Sequence, residues 1–323
     1  MKRLLYAAIA LLGIQCSPAS ADQNCMTGYY RTKQPACVDS VLSQMRAGPN
    51  ADPSAVIGFL AQIFSTSPAE KQRILQLEAS SYVKSVKLVA LYGAGLTEDA
   101  QKFAEENQIT ATLQKIEKNQ PARLAVVRPS SNAADNDLLI GAYMASGDTN
   151  FIERILANFS SADDDMAGIA MRMGFMKSKF GPNMTVEGRD NVMARMACDK
   201  YQCKTEPAKF FRVLTLASGF WALQSLSSAD DGIKKTFTGF FANDPRLKNL
   251  FAAEEAAMGN YMTAYAMVAV FKPEAKAGKS ARKDDDKTYE SMNKAASAFE
   301  NLEPAGKVFE HIDAYVKAGK KLK

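Results

Sequence analysis

The sequence predicts an all-α protein, either an irregular helical bundle or a stack of helical hairpins. Signals that start helices recur along the chain, and apolar residues follow each of them at helical spacing. Alternating apolar and polar patterns, which are typical of strands, are nearly absent. With 47% hydrophobic residues in a chain of 323, the protein can bury a substantial core.

The first 21 residues have the pattern of a cleaved export signal. A basic start precedes the apolar run 4–14, and small residues end the stretch at Ala21. The run is shorter than the about 18 residues that a membrane-spanning helix needs. We therefore expect a periplasmic or secreted protein without an integral membrane span. Cys16 offers the alternative of a lipoprotein, although Gln15 stands where such signals carry a small residue.

Cysteine usage agrees with export. Removal of the signal leaves four cysteines, and an even number in an exported chain favours disulfide bonds. Three pairings are possible, and the local one, Cys25 with Cys37 and Cys198 with Cys203, requires the least rearrangement of the chain. A metal site is less favoured, because closely spaced CxxC pairs are absent and the chain has one histidine.

Each helix is predicted from its starting signal. Ser67 and Glu70 fit a capping box, with a proline in the first helical position. The single exception to helix is Arg123–Val127, which reads as a short strand that Pro129 ends. The predicted helix starts, in order, are Asp52-Pro53, Ser67-Pro68, Thr97, Asp135, Asp148 or Thr149, Pro207 and Asp244-Pro245.

The chain also contains a repeated hairpin pattern. Segments 59–75 and 140–156 align without gaps and share an Arg-Ile-Leu ending, and 237–251 has a similar shape. Their irregular spacing excludes the standard tetratricopeptide and ankyrin periods. Segment 137–156, with its aromatic residue, small pair and Gly-Asp turn, also resembles a hairpin of uncharacterised exported bacterial proteins. That resemblance implies helical packing and assigns no activity.

Composition divides the chain into a signal and three further parts. After the signal 1–21, the helical domain is expected to cover 22–272. A charged stretch with little to bury follows at 273–287 and predicts a flexible linker. Helical spacing resumes in the C-terminal segment 288–323.

Several function classes find no support in the sequence. A net charge of +5 without a concentrated basic face does not indicate nucleic-acid binding. Phosphate-binding loops, serine-nucleophile elbows and HExxH motifs are absent, and His311 stands alone. We therefore expect no cofactor. The leading interpretation is a non-enzymatic interaction or scaffold protein with a protein or peptide partner whose identity the sequence does not give.

A methionine-rich segment, 166–196, suggests where such a partner could bind. Methionine fills gaps in helical cores or lines adaptable grooves, and this is the favoured interpretation. The alternative is Cu(I) binding, because thioethers are soft ligands that select this ion. The candidate groove residues are Met166, Met171, Met173, Met176, Met193 and Met196.

One motif indicates an enzyme instead. Glu290 and Ser291 resemble the pair that opens the active-site helix of lytic transglycosylases. This resemblance implies peptidoglycan cleavage with Glu290 as the general acid. The Gly-Leu-Met-Gln and Ala-Tyr-Asn elements that follow in that family are absent here.

Overall fold

The computed structural model describes residues 23–45, 52–119, 121, 123–180 and 205–271, with side chains left out at 23–24, 176–177, 179–180 and 260–271. These residues form thirteen helices and no strand, which confirms the all-α prediction. The helices are α1 Gln23–Thr32, α2 Pro35–Met45, α3 Ser54–Thr66, α4 Pro68–Gln76, α5 Ser81–Gly93, α6 Thr97–Glu106, α7 Thr110–Asn119, α8 Ala134–Ser146, α9 Asn150–Ser160, α10 Asp164–Phe180, α11 Pro207–Leu226, α12 Asp231–Asn243 and α13 Pro245–Phe271.

Aspartates start three of the helices, as the sequence predicts. Asp52 accepts a hydrogen bond from the backbone N–H two residues later at 2.8 Å, and Asp148 does the same at 3.0 Å. Asp244 accepts from the amides of Arg246 and Leu247 at 2.9 and 3.1 Å. Each carboxylate satisfies a donor that the first helical turn leaves without a backbone partner. The local sequence therefore determines where α3, α9 and α13 begin.

The predicted capping box at Ser67 and Glu70 is wrong in its contacts. Helix α4 does begin with Pro68, but the Ser67 side chain makes no capping hydrogen bond. The Glu70 carboxylate instead accepts two hydrogen bonds from Arg73, at 2.9 and 2.7 Å. Arg73 also reaches Asp39 on α2 at 2.7 Å. A bidentate, charge-assisted contact is stronger than a neutral capping bond, so Glu70 is turned toward Arg73.

The strand predicted at Arg123–Val127 is also wrong, because this segment is a turn. The amides of Val126 and Val127 both donate to the Arg123 carbonyl, at 3.0 and 2.9 Å. No neighbouring strand offers hydrogen bonds in the described chain, which leaves the backbone to pair with itself.

Helix α8 lies at the centre of the fold. It packs against α1, α3, α9 and α11, and nine of its thirteen residues are buried. Such a helix is surrounded by protein on nearly all sides, and the buried residues include the polar Asn136 and Asp137 of its first turn. In the described part of the chain, no helix combines the length and apolar character that a membrane crossing would require.

Phenylalanines fill the core of the C-terminal part. The ring of Phe220 on α11 lies 5.0 to 6.0 Å, centroid to centroid, from five other rings. Most of these pairs are tilted or edge-to-face, the arrangement that aromatic quadrupoles favour. The partner rings belong to Phe159, Phe175, Phe237, Phe241 and Phe251.

Helices α3 and α8 cross at backbone contact, and a glycine on each helix faces a carbonyl oxygen of the other. A Cβ built on Gly58 would lie 1.8 Å from the carbonyl oxygen of Leu138, three residues before Gly141. A Cβ built on Gly141 would lie 1.8 Å from the carbonyl oxygen of Ala55, three residues before Gly58. The two glycines are therefore equivalent at this crossing. Each glycine is the last residue of the pattern Ala-Asp-x-x-x-x-Ile-Gly. This correspondence is shifted by two residues from the ungapped alignment of the hairpin segments given above.

Gly58→Ala and Gly141→Ala should each lower the free energy of unfolding by about 3 kcal/mol, the upper end of overpacking costs. The added methyl group would meet backbone, which cannot rotate away. Urea denaturation followed by circular dichroism measures the change. Gly239→Ala is the control, because nothing lies within 4 Å of its Cβ position and α12 should gain about 0.5 to 1 kcal/mol. Equal effects at Gly58 and Gly239 would contradict the close crossing.

Candidate functional site

A disulfide bond between Cys25 and Cys37 joins α1 to α2, with their Cα atoms 5.7 Å apart. This is the N-terminal pair that the sequence favours. The other two cysteines of the prediction, Cys198 and Cys203, lie outside the described residues. The bridge closes a short helical hairpin at the start of the described chain.

This hairpin covers a buried carboxylate. The Asp230 side chain is 0% exposed, and its oxygens accept hydrogen bonds from Tyr30 at 2.9 Å and Arg31 at 2.8 Å, both on α1. Tyr143 on α8 donates from its hydroxyl at 2.5 Å. The backbone N–H of Ile233 donates at 3.0 Å, which makes Asp230 the N-cap of α12. We call these five residues the Asp230 cluster.

Burial and hydrogen bonding act in opposite directions on the pKa of Asp230. Burial raises this pKa, but the hydrogen bonds from Tyr143, the Ile233 amide, Tyr30 and Arg31 together lower it below its ordinary value of 3.8. The carboxylate is therefore ionised, with the Arg31 guanidinium beside it. Burial, followed by the contact with Asp230, raises the pKa of Tyr143, which keeps its hydroxyl protonated as a donor.

Three further contacts hold α1 in place. The Tyr29 ring meets Phe59 edge-on at 4.9 Å. Lys33 donates from its ammonium group to the carbonyl of Ala145, at the C-terminal end of α8, at 2.5 Å. A cation at this end of a helix is favoured because several carbonyls there lack helical partners. Tyr30 lies so close to Gly147, the left-handed residue that ends α8 at φ 75°, that a Cβ there would be 2.6 Å from its ring.

The chemistry of the Asp230 cluster indicates a positioning role. A general acid needs a raised pKa and access to substrate, whereas Asp230 has a lowered pKa and no exposed surface. Its four hydrogen bonds use the carboxylate to join residues from distant parts of the chain. The cluster thus fixes the N-terminal hairpin against α8 and α12.

A second built feature is the turn at residues 123–128, which we call the arginine turn. Leu124 and Val127 are buried and anchor it, whereas Val126 between them is 70% exposed. The Leu124 amide donates to the Gly93 carbonyl at 2.8 Å. Arg154 on α9 donates from one nitrogen to the carbonyls of Leu124 and Val127, on either side of the exposed tip.

The surface of the arginine turn is positive. Arg123 and Arg128 flank the tip and are exposed, and neither pairs with a carboxylate among the described residues. The Arg123 guanidinium lies 5.8 Å from the centre of the Tyr92 ring, which limits its motion. Burial lowers the pKa of Arg154, the charge of Arg128 lowers it further, and the Asp148 carboxylate opposes both effects. The turn therefore carries two exposed arginines and is contacted by a third.

The methionines of the predicted groove fall into two sets. Met166, Met171 and Met173 are 3%, 0% and 1% exposed, and they belong to the hydrophobic core. The side chain of Met176, like Met193 and Met196, lies outside the described residues. For these three methionines the groove stays a prediction. Where the chain is described, no group of three or more His, Cys, Asp or Glu side chains could hold a metal ion. Glu290 and His311 also lie outside the described residues.

Sequence reasoning missed the Asp230 cluster and the arginine turn. Asp230 carries a weak local signal, since Asp before Asp-Gly-Ile fits a helix N-cap. Its partners Tyr30 and Arg31 are 200 and 199 residues away, which no local pattern reports. For the arginine turn, the apolar run was read as a strand, and its exposed valine was therefore overlooked.

Asp230→Asn should make the protein less stable at neutral pH, with a difference from the wild type that shrinks on acidification. A carboxyl group with a lowered folded pKa stabilises the fold above its unfolded pKa, and this contribution is lost as the pH falls through the folded value. Denaturant titrations from about pH 7 down to about pH 2 measure the difference. Asp164→Asn, which breaks an ion pair at a carboxylate 67% exposed, is the control and should change little. A constant difference at every pH would contradict the ionised state of Asp230.

Tyr143→Phe should cost about 1.5 to 3 kcal/mol of unfolding free energy, because the lost hydroxyl donates to a charged acceptor. Tyr30→Phe removes a longer and less buried bond to the same carboxylate and should cost less. Thermal and urea denaturation provide the values. In the Asp230→Asn background the cost of Tyr143→Phe should fall, which a double-mutant cycle detects. An unchanged cost in that background would argue against a direct charge-assisted contact.

Comparison with known proteins gives no match, since no protein-family model fits the chain and neither a curated protein nor a solved structure matches it.

Proposed function

We propose that the protein is exported and acts as a non-enzymatic helical interaction protein, with the arginine turn as a docking point for an acidic segment of a protein partner. The export signal pattern of residues 1–21 and the Cys25–Cys37 bridge support an oxidising compartment. The observation that carries the proposal is the exposed Val126, held between two arginines on a rigid turn.

The arginine turn has the properties of an interaction hot spot. Arginine is enriched at such sites, and an apolar side chain at the centre gains energy when a partner excludes water from it. In the described chain, Val126 is the one large apolar residue that is well exposed. Because Arg154 and the Gly93 carbonyl already fix the turn, a partner loses little affinity to ordering it.

Electrostatics defines the kind of partner. Arg123 and Arg128 form no ion pair with a carboxylate in the described structure, and Arg154 adds positive charge that Asp148 offsets in part. An acidic segment with a small apolar residue would complement both the charge and the tip. Complementary charge of this kind mainly increases association rate and selectivity.

The two other candidate functions have less support. Copper binding through the methionine segment would have to use residues outside the described chain, because the described thioethers of Met166, Met171 and Met173 are packed in the core. Peptidoglycan cleavage depends on Glu290, which also lies outside the described residues, so it stays a sequence-based hypothesis.

Site-specific photo-crosslinking tests the docking point. A photoreactive residue in place of Val126 should capture a partner in the native compartment, whereas the same residue at exposed Lys102 on α6 should not. Arg123→Glu combined with Arg128→Glu should abolish the crosslink, because the turn would then repel an acidic segment. Equal capture at both positions, or capture that survives charge reversal, would contradict the proposal.

A further inference from the structure

The two helices of the N-terminal hairpin are held by different contacts. Helix α2 is anchored by buried Val38, Val41 and Leu42, and by Arg73, which contacts both Asp39 and the Pro35 carbonyl. Helix α1 has ten residues, fewer than an isolated helix needs for stability in water. Its order therefore depends on its contacts with Phe59, α8 and Asp230 and on the disulfide bond to α2.

The residues that α1 contributes are the ones that Asp230 needs. Two of the four donors to this carboxylate, Tyr30 and Arg31, belong to α1, and Arg31 is the cation in contact with it. Without α1, a carboxylate that is now fully covered would keep only Tyr143 and the Ile233 amide. A buried charge that loses its countercharge is strongly unfavourable, so the start of α12 would have to open toward water.

We infer that the Cys25–Cys37 disulfide is a redox-sensitive clasp. Its oxidation locks α1 over Asp230 and completes the start of α12, and its reduction releases α1 and loosens that start. This inference does not depend on the arginine turn. Under this inference, Tyr30 and Asp230, which are 200 positions apart, are held in contact only in an oxidising environment.

The redox step is an ordinary thiol–disulfide exchange. A disulfide-bearing oxidant receives the two electrons and two protons of the Cys25 and Cys37 thiols and becomes a dithiol, while one S–S bond forms in the protein. In the reverse direction, a thiolate of a dithiol reductant attacks the half-buried Cys25 sulfur and displaces Cys37, which is 5% exposed. The second thiol of the reductant then resolves the mixed disulfide.

Hydrogen exchange on the full-length protein tests the clasp. Three forms are compared: oxidised wild type, wild type reduced with dithiothreitol, and Cys25→Ser with Cys37→Ser. In both bridge-free forms, the amide hydrogens of α1 and of the first turn of α12, including Ile233, should exchange about tenfold to a hundredfold faster than in the oxidised wild type. Amides in the middle of α11 should keep their protection. The double serine variant separates this bridge from the effect of reduction on other cysteines.

A variant that leaves the bridge intact provides an independent reading. Arg31→Ala removes the countercharge, and it should loosen the first turn of α12 even in the oxidised protein. Arg212→Ala, which removes contacts to Ser161 far from the cluster in sequence, is the control and should leave that turn protected. Unchanged exchange at Ile233 in both bridge-free forms would overturn the inference. Loss of protection throughout the protein, α11 included, would also overturn it, because the bridge would then support the whole fold rather than a local clasp.

Discussion

The structure depends on one buried negative charge. Asp230 is surrounded by donors from the N-terminal helix, from central helix α8 and from the helix that it caps. A charge of this kind is tolerated only when its partners are all in place, since each missing donor leaves part of the desolvation cost without compensation. The full set of donors to Asp230 is present only where α1, α8 and α12 meet.

Helix α8 connects this cluster to the other strict constraint of the fold. Gly141, where α8 crosses α3 at backbone contact, lies two residues before Tyr143, which donates to Asp230. The two residues point to different sides of the helix, since residues two positions apart are rotated by slightly more than half a turn. A shift of the crossing would consequently move the Tyr143 hydroxyl away from a carboxylate that it contacts at 2.5 Å. The close packing of the N-terminal helices and the capping of α12 are thus coupled through one short segment.

Sequence patterns predicted the structure correctly where the interacting residues are close together in the chain. Aspartate and proline predicted the starts of α3, α9 and α13, and the short loop between Cys25 and Cys37 favoured their pairing. Local reasoning failed where another partner competes. Glu70 pairs with Arg73, which also binds the distant Asp39, and Arg154 stabilises a turn where a strand was expected. The Asp230 cluster and the Gly58–Gly141 crossing could not be predicted, because both depend on contacts between residues far apart in the chain.

Arginine has two distinct uses in the described structure. Arg31, Arg73 and Arg172 point to carboxylates, and Arg246 contacts both Asp164 and carbonyls near the end of α9. Their charges are used inside the molecule to join its helices. Arg123 and Arg128 differ, because they flank an exposed valine on a turn that Arg154 fixes from behind. Two like charges beside an exposed apolar tip form no ion pair that would stabilise the fold. For this reason our proposal assigns the arginine turn to a partner, rather than surfaces whose charges are paired within the molecule.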